Sequence, residues 1–333
     1  MTLPTTQTGP TGTASPHGDE APRVVAVVLN WNGGEDTLAC LRSLRAAQEH
    51  RPLPLLVDNG SDDGSVDAAL AEDEHLLVLR HGENLGYAAG NNRAVEHAFS
   101  ALAADWVMLV NSDLLAPPEL LARLLDGVAE AERTGTPVGA AGPCLVYLDD
   151  PSRIWACGGR VGAGLNVTQL LDHGRLRMGE PGPPRDVDYV PGTCLLISRS
   201  GWEAAGSLDE SFFCYLEDAD WGLRLREAGL RGIVVPAAVA AHGLSASTGG
   251  GYSAGRKYMT AVNSVHFLRK HGSLAGWLGL LLFDILLWPV AFLRGLAHGH
   301  GAAALAKLKG VVDGLRGERV TASVAHRYAR RPS

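Results

Sequence analysis

Four times in its first 135 residues the chain repeats one unit: an aliphatic, β-branched run, a turn of Asn, Asp and Gly, then an amphipathic stretch. The runs are VVAVVLNW (24–31), LPLLVDNG (53–60), HLLVLRH (75–81) and DWVMLVNSD (105–113). Strands that are apolar at every position bury both faces, and strands separated by helices pair in parallel, so the repeat predicts an α/β fold with a mostly parallel central sheet covered on both sides. The intervening helices are expected through Leu44, just after Gly60, from about Gly86 to Leu102, and over PPELLARLLDGVAEAE. Ligands bind such sheets beyond the carboxyl ends of the strands. That rule puts Asn30, Asn32, Asp58, Asn84 and the run Asn111, Ser112, Asp113 on one rim.

The second half is less regular. Strands are expected at 140–147, 154–161, 188–198 and 231–236, a helix over YLEDADW, His242 in a Gly/Ser-rich loop, and a helix from Ala254 to His271. The segment LAGWLGLLLFDILLWPVAFLRGLA (274–297) is long enough to raise the question of a membrane span, but Asp284 and Pro289 interrupt it. Its basic neighbours, RKHG before and LAKLKGVVDGLRGER after, suit a hairpin lying on anionic head groups through residues 274–316. A helical pair packed on the globule is the equal alternative.

Composition narrows the function. A formal net charge of -7 argues against nucleic-acid binding, which needs a broad basic face. Five cysteines without a C-x-x-C pair suit buried thiols in a reducing cytoplasm. Residues 1–22, rich in Thr, Pro and Gly, read as a disordered leader rather than a signal peptide. The triplet Asn166-Val167-Thr168 is taken as a chance match to the glycosylation pattern. The organisation expected is this leader, a catalytic domain over 23–272, and a C-terminal helical extension over 273–333.

The rim lacks a G-x-G-x-x-G turn, a phosphate-binding G-x-x-x-x-G-K-[ST] loop and a G-x-S-x-G elbow, which disfavours hydride transfer, P-loop phosphotransfer and hydrolysis. Asp113, at the end of an apolar strand, is placed either to hold a divalent cation against a diphosphate or to cap the next helix. An imidazole at His242 would complete such a site. In YLEDADWGLRLREAG, helical spacing puts Asp218 with Trp221, Leu225 and Ala228 on the inward face, where a general base must sit. Asp220 pairs at i+4 with Arg224, and Glu217 stands at the helix edge as a cap or a substrate-orienting group. First-turn acids that only offset the helix dipole are the competing reading.

Taken in order, VVAVVLNWNGGEDTLACLRSL, LLVDNGSDDGS, ENLGYAAGNNRAV, VMLVNSDLL, the VPGTCLLISRSGWEAAGSLDESFFCYLEDADWGLRLREAGLRG block and AHGLSAS resemble the family 2 glycosyltransferases, in particular the bacterial rhamnosyltransferase-like branch. The resemblance implies the glycosyltransferase A fold and inverting transfer, from a nucleoside-diphosphate sugar to a glycan, glycolipid or small-molecule acceptor, in cell-envelope assembly at the cytoplasmic face of the membrane. It implies dTDP-L-rhamnose as donor, with UDP-sugars the alternative. It places Asn30, Asn32, Asp58, Asn84, Gly86, Gly90, Asn92, Asn111, Ser112 and Gly192 around the nucleotide sugar. Mn2+ or Mg2+ would lie on Asp113 and His242, and the base would be Asp218 with Glu217 the alternative. Asn111 stands where the family's D-x-D element has its first acid. A sugar-nucleotide pyrophosphorylase would need Arg and Lys after the first strand, where NWNGG has neither.

Overall fold

The computed structural model describes residues 21–133, 135–162, 167–243 and 253–328. The leader up to residue 20, Asn166 and the Gly/Ser-rich stretch 244–252 lie outside them. The repeating half builds β1 (Val24–Asn30), α1 (Gly34–Arg45), β2 (Leu53–Asp58), α2 (Ser65–Glu72), β3 (Leu77–Arg80), α3 (Gly86–Ser100) and β4 (Trp106–Asn111). A short β5 (Leu114–Leu115) and α4 (Leu120–Glu132) follow. The second half adds β6 (Val138–Tyr147), β7 (Ile154–Ala156), β8 (Gly159–Val161), β9 (Thr168–Leu170), β10 (Arg185–Val187) and β11 (Cys194–Ser198). After these come α5 (Arg199–Ala205), α6 (Glu217–Glu227) and β12 (Arg231–His242). The chain closes with α7 (Ala254–His271), α8 (Leu274–Gly279), α9 (Trp288–Ala297), α10 (Gly301–Leu315) and α11 (Ala322–Tyr328), a π-helical stretch Leu280–Leu286 joining α8 to α9.

The sheet order is β10-β12-β6-β11-β4-β1-β2-β3, with β5 on β12 and β7 on β6. β3, β2, β1 and β4 are parallel, as are β6 and β12, and β11 runs antiparallel between β4 and β6. Both faces are covered, and β1 shows how: Val24, Ala26 and Val28 enter one core while Val25 and Val27 enter the other. From β1 the chain first adds β2 and β3 on one side, then crosses to β4 on the other, which opens a crevice at the carboxyl ends of β1 and β4.

Several elements differ from expectation. The span 154–161 is two strands on different partners, broken at Gly158, where φ is +87°. The span 188–198 is a strand only from Cys194, because Pro191 lacks the N–H a ladder needs. β12 is twice the expected length, so His242 is a strand residue paired with Leu114 rather than a loop residue. Trp221 is a core anchor, buried and donating from Nε1 to Gly206 O at 2.7 Å. Cys40, Cys144, Cys157 and Cys194 are buried free thiols and Cys214 is half-buried.

The C-terminal helices divide in two. α10 docks closely on α7, where a Cβ on Gly314 would stand 3.0 Å from Val262 O and Tyr258 Oη donates to Asp313 at 2.8 Å. The α8–α9 segment instead turns an aliphatic face outward. Among the described residues no single helix is long and apolar enough to cross a membrane; Leu274–Leu286 and Trp288–Ala297 pass that test only as a pair, bent by 50°.

Candidate active site

At the end of β1 the side chain of Asn30 is fully buried and fully bonded. Its Nδ2 donates to Ser65 Oγ at 2.8 Å and Ser61 Oγ at 3.1 Å, and its Oδ1 accepts from Thr37 Oγ1 at 2.7 Å and Gly33 N at 3.1 Å. Asn30 therefore shapes the loops around the crevice and has no polar atom left for a ligand. Asn32 takes φ +54° and is exposed, accepting from Asp62 N at 2.8 Å. Asp58, at the end of β2, accepts from Ser61 N at 2.9 Å and from Arg80 Nη1 at 3.2 Å. Ser112 faces Gly33 across the same crevice, 3.1 Å from where a Cβ on Gly33 would lie.

The next loop is clamped by a residue the sequence reading did not single out. Asn59 Nδ2 donates to Asn84 Oδ1 and Gly86 O, both at 3.1 Å, and its Oδ1 accepts from Leu85 N at 3.0 Å. Gly86 has φ +86° and a Cβ there would sit 2.6 Å from Phe213 O, so the close approach requires glycine. Gly90 lets α3 lie on β1, since a Cβ would come within 2.9 Å of Leu29 Cδ1. Asn92 faces away from the rim and brackets the loop before α6, exchanging bonds with Leu208 N and O at 2.9 Å each.

At the end of β4 the geometry is different in kind. Asp113 Oδ2 and both ring nitrogens of His242 are buried with no hydrogen-bond partner among the described residues. Asp113 Oδ1 lies 3.3 Å from His242 Nε2, at an angle that makes no hydrogen bond. The pairing of Leu114 with His242 and the 2.9 Å bond from Gly243 N to Asp113 O fix the two residues together, and the Trp155 ring holds the imidazole edge-on at 4.6 Å. Buried polar atoms left unpaired cost about 1–3 kcal/mol each. A carboxylate and an imidazole that converge without bonding fit a divalent cation whose remaining positions come from phosphate oxygens. Among the described residues no group of three or more His, Cys, Asp or Glu forms a self-sufficient metal site.

Two of the three α6 acids, Glu217 and Asp218, line the same cleft as His242. Asp218 is half-buried; its Oδ2 accepts from Gly192 N at 3.0 Å and its Oδ1 from Ala219 N at 2.8 Å. Burial raises its pKa, and these backbone bonds pull it back down. Glu217 is buried, and its Oε2 has no hydrogen-bond partner among the described residues. Burial, reinforced by the Asp218 charge, pushes its carboxyl well above the ordinary range. Asp220 is the most buried of the three, gripped by Lys270 Nζ at 2.6 Å, His271 Nε2 at 2.7 Å and Arg224 Nε at 2.9 Å. It is a structural hub between α6 and the end of α7.

The segment entering α6 is strained. Phe213, Tyr215 and Leu216 have φ of +58°, +76° and +74°, values non-glycine residues adopt at about 1–3 kcal/mol each. Asn263, fully buried on α7, holds them: its Nδ2 donates to Phe212 O at 2.7 Å, Cys214 O at 2.8 Å and Tyr215 O at 2.9 Å. Tyr87 N adds a 2.6 Å bond to Phe213 O, while its hydroxyl donates to Gly192 O at 2.6 Å. A Cβ on Gly192 would lie 2.7 Å from that hydroxyl, so glycine is required for the backbone to reach Asp218. The cleft so formed has a volume of about 1100 Å³ and is walled by Asn111, Gly192, Glu217, Asp218 and His242.

A family model described as "Glycosyltransferase like family 2" matches residues 22–260. The chain belongs to the family 2 glycosyltransferases. Over 243 residues it is 32% identical to the N-acetylglucosaminyl-diphospho-decaprenol L-rhamnosyltransferase of Mycobacterium tuberculosis, covering 67% of this chain and 76% of that protein. Among solved structures it is similar to the mannosyltransferase PcManGT of Pyrobaculum calidifontis in complex with GDP-Man and Mn2+, with a TM-score of 0.57, 16% identity, and coverage of 92% of this chain and 90% of that one. It is also similar to GalNAc-T7 with UDP, GalNAc and Mn2+, with a TM-score of 0.53 and 14% identity over 67% of this chain and 43% of that one. The family resemblance carried by the ordered motifs is thus borne out: this is a rhamnosyltransferase-like glycosyltransferase with the glycosyltransferase A fold.

Proposed function

We propose that this glycosyltransferase moves L-rhamnose from dTDP-L-rhamnose to a hydroxyl of a lipid-linked glycan of the cell envelope, with inversion at the anomeric carbon. The sugar and the acceptor follow the M. tuberculosis relative, an N-acetylglucosaminyl-diphospho-decaprenol L-rhamnosyltransferase, and the dTDP carrier follows the family resemblance of the motifs. A nucleotide sugar and a lipid-linked acceptor meet at the cytoplasmic face of a membrane, which is where the enzyme would work.

One observation carries the mechanism: His242, which stands 3.3 Å from Asp113, lines the same cleft as the Glu217 and Asp218 carboxylates. Asp113 and His242 would hold a divalent cation, Mn2+ or Mg2+, which supplies positive charge for the departing diphosphate. Asn32, Asp58 and Ser112, at the crevice between β1 and β4, lie where the base and ribose of the donor would rest. Asp218 is the base. The Gly192 and Ala219 amides orient its carboxylate and oppose the rise in pKa that burial causes, and it accepts the acceptor hydroxyl's proton as the oxygen attacks the anomeric carbon. Glu217, its carboxyl pushed well above the ordinary range by burial and the Asp218 charge, hydrogen-bonds substrate while Asp218 serves as the base. A single base on one side of the sugar gives one displacement, hence inversion.

The test is a panel of dTDP-L-rhamnose, UDP-N-acetylglucosamine, UDP-galactose and GDP-mannose with Mn2+ or Mg2+, read as nucleoside diphosphate release with and without a lipid-linked N-acetylglucosamine acceptor. Acceptor-stimulated release from dTDP-L-rhamnose alone supports the reading. Turnover of a UDP-sugar, or transfer only to a soluble aglycone, replaces the donor or the acceptor, and no turnover of any donor overturns the proposal.

A further inference from the structure

The cleft does not end at the carboxylates. It continues between α7 and the C-terminal helices, where Arg256, Lys257 and Lys307 line it with Asp284 and the backbone of Gly279. Lys307 pairs with Asp284, and Arg256 lies over the Tyr215 ring at 5.7 Å, beside the strained entry to α6. Arg256, Lys257 and Lys307 thus share this part of the cleft with Asp284. Arg256 and Lys257 stand in the first turn of α7, after the Ser253 cap, where the positive end of a helix disfavours cations. Burial lowers the pKa of Lys257, and the charges of Lys307 and Arg256 lower it further. An anion carrying two or more charges removes all of these repulsions at once.

Beyond the cations lies the outward face of the α8–α9 segment. Among the described residues, nine of the fifteen exposed large apolar side chains fall between Leu274 and Leu296, among them Leu278, Leu286 and Leu293, which are 55%, 61% and 65% exposed. Contiguous apolar surface of this kind marks an interaction site. The basic neighbours expected to meet head groups are engaged elsewhere: Arg269 on the carbonyls of Gly314 and Leu315, Lys270 on Asp209 and Asp220, and Lys309 on Asp313. The contact is therefore made by aliphatic burial, at about 25 cal/mol per Å², and the nearby cations are turned into the cleft.

We propose that this end of the cleft is a diphosphate subsite for an isoprenoid-diphosphate acceptor, its phosphates on Arg256, Lys257 and Lys307, and that the α8–α9 segment lies in the lipid surface so that the isoprenoid leaves the cleft into the bilayer. The inference rests on the function proposed above for the acceptor's sugar, but it stands or falls separately.

Two measurements on the full chain decide it. Binding of farnesyl diphosphate is measured in EDTA with saturating dTDP, so that the donor site does not contribute. Arg256→Gln/Lys257→Gln and Lys307→Gln/Asp284→Asn are each expected to weaken it by tenfold or more, with the affinity for dTDP and Mn2+ unchanged. Wild-type affinity in both variants, or inorganic pyrophosphate binding as tightly as farnesyl diphosphate, overturns the subsite. Co-sedimentation with phosphatidylcholine vesicles is expected to be lost in Leu286→Glu/Leu293→Glu at an unchanged melting temperature. Retained sedimentation, or a wild-type dimer in solution that this variant dissociates, overturns the membrane seat. Farnesyl diphosphate binding without rhamnosyl transfer would sink the function and leave this inference standing.

Discussion

Asn263→Ala is the most telling structural perturbation, because one side chain far from the substrate holds the backbone that aims Asp218. Its amide donates to three carbonyls in the segment where Phe213, Tyr215 and Leu216 take positive φ. Removing it leaves buried carbonyls unpaired at about 1–3 kcal/mol each. The freed segment then relaxes toward ordinary φ, and recovers part of the roughly 1–3 kcal/mol stored at each strained residue. The balance is a stability loss of about 2–3 kcal/mol. The relaxation that limits this loss also displaces Asp218, and a misplacement of about 1 Å costs on the order of 100-fold in rate. Urea unfolding gives the first quantity, and kcat for sugar transfer at saturating donor gives the second. Asn263→Asp, which offers oxygens where donors are needed, should fall at least as far as Asn263→Ala. Wild-type kcat in a destabilised Asn263→Ala, or an Asn263→Asp indistinguishable from wild type, would refute the reasoning.

Other outcomes follow from the same geometry. Glu217 has a folded pKa raised above its unfolded value, so its contribution to stability is complete below about pH 4.5 and is lost as pH rises toward the folded value. Glu217→Gln should therefore be more stable than wild type at neutral pH, by a margin that shrinks toward pH 4; an equal or lower stability at pH 7 contradicts this. Asp220→Asn strips the charge from a buried hub that Lys270, Arg224 and His271 all contact, and should lose about 3 kcal/mol in thermal or urea unfolding. If it is as stable as wild type, Asp220 is not the anchor of α6. Asp113→Asn and His242→Ala should each weaken Mn2+ binding in the presence of dTDP by about tenfold or more without loss of fold, and titration by calorimetry reads this directly. The NMR coupling of the product's anomeric carbon should report the configuration opposite to the donor's, and retention would exclude a single displacement.

The parallel sheet was legible because a continuous apolar strand leaves a period-free signature, and its rim because β1, β2 and β4 end in Asn or Asp. The family motifs carried the fold and the enzyme class. The ranking of the α6 acids was not legible: helical spacing put Asp218 inward and saw Asp220 only beside Arg224. It could not see the last turn of α7 bringing Lys270 and His271 onto Asp220. Asn59, Tyr87 and Asn263 escaped notice because they act on backbone atoms, and no side-chain pattern marks a carbonyl that needs a donor. Asn30 shows the reverse, since its place on the rim suggested ligand contact while its four bonds face inward. Among the basic neighbours of the apolar tail, Arg269, Lys270 and Lys309 make contacts within the protein that the sequence does not mark.

The central claim is that Asp218 removes the acceptor's proton within a cleft that His242, held beside Asp113, also lines. The direct measurement is single-turnover transfer from dTDP-L-rhamnose to a lipid-linked N-acetylglucosamine acceptor by wild type and by Asp218→Asn, with dTDP affinity measured in parallel. The account predicts a rate lower by 10²–10⁴ in the variant with dTDP bound as tightly as by wild type. Wild-type transfer by Asp218→Asn, with Glu217→Gln inactive, would contradict it.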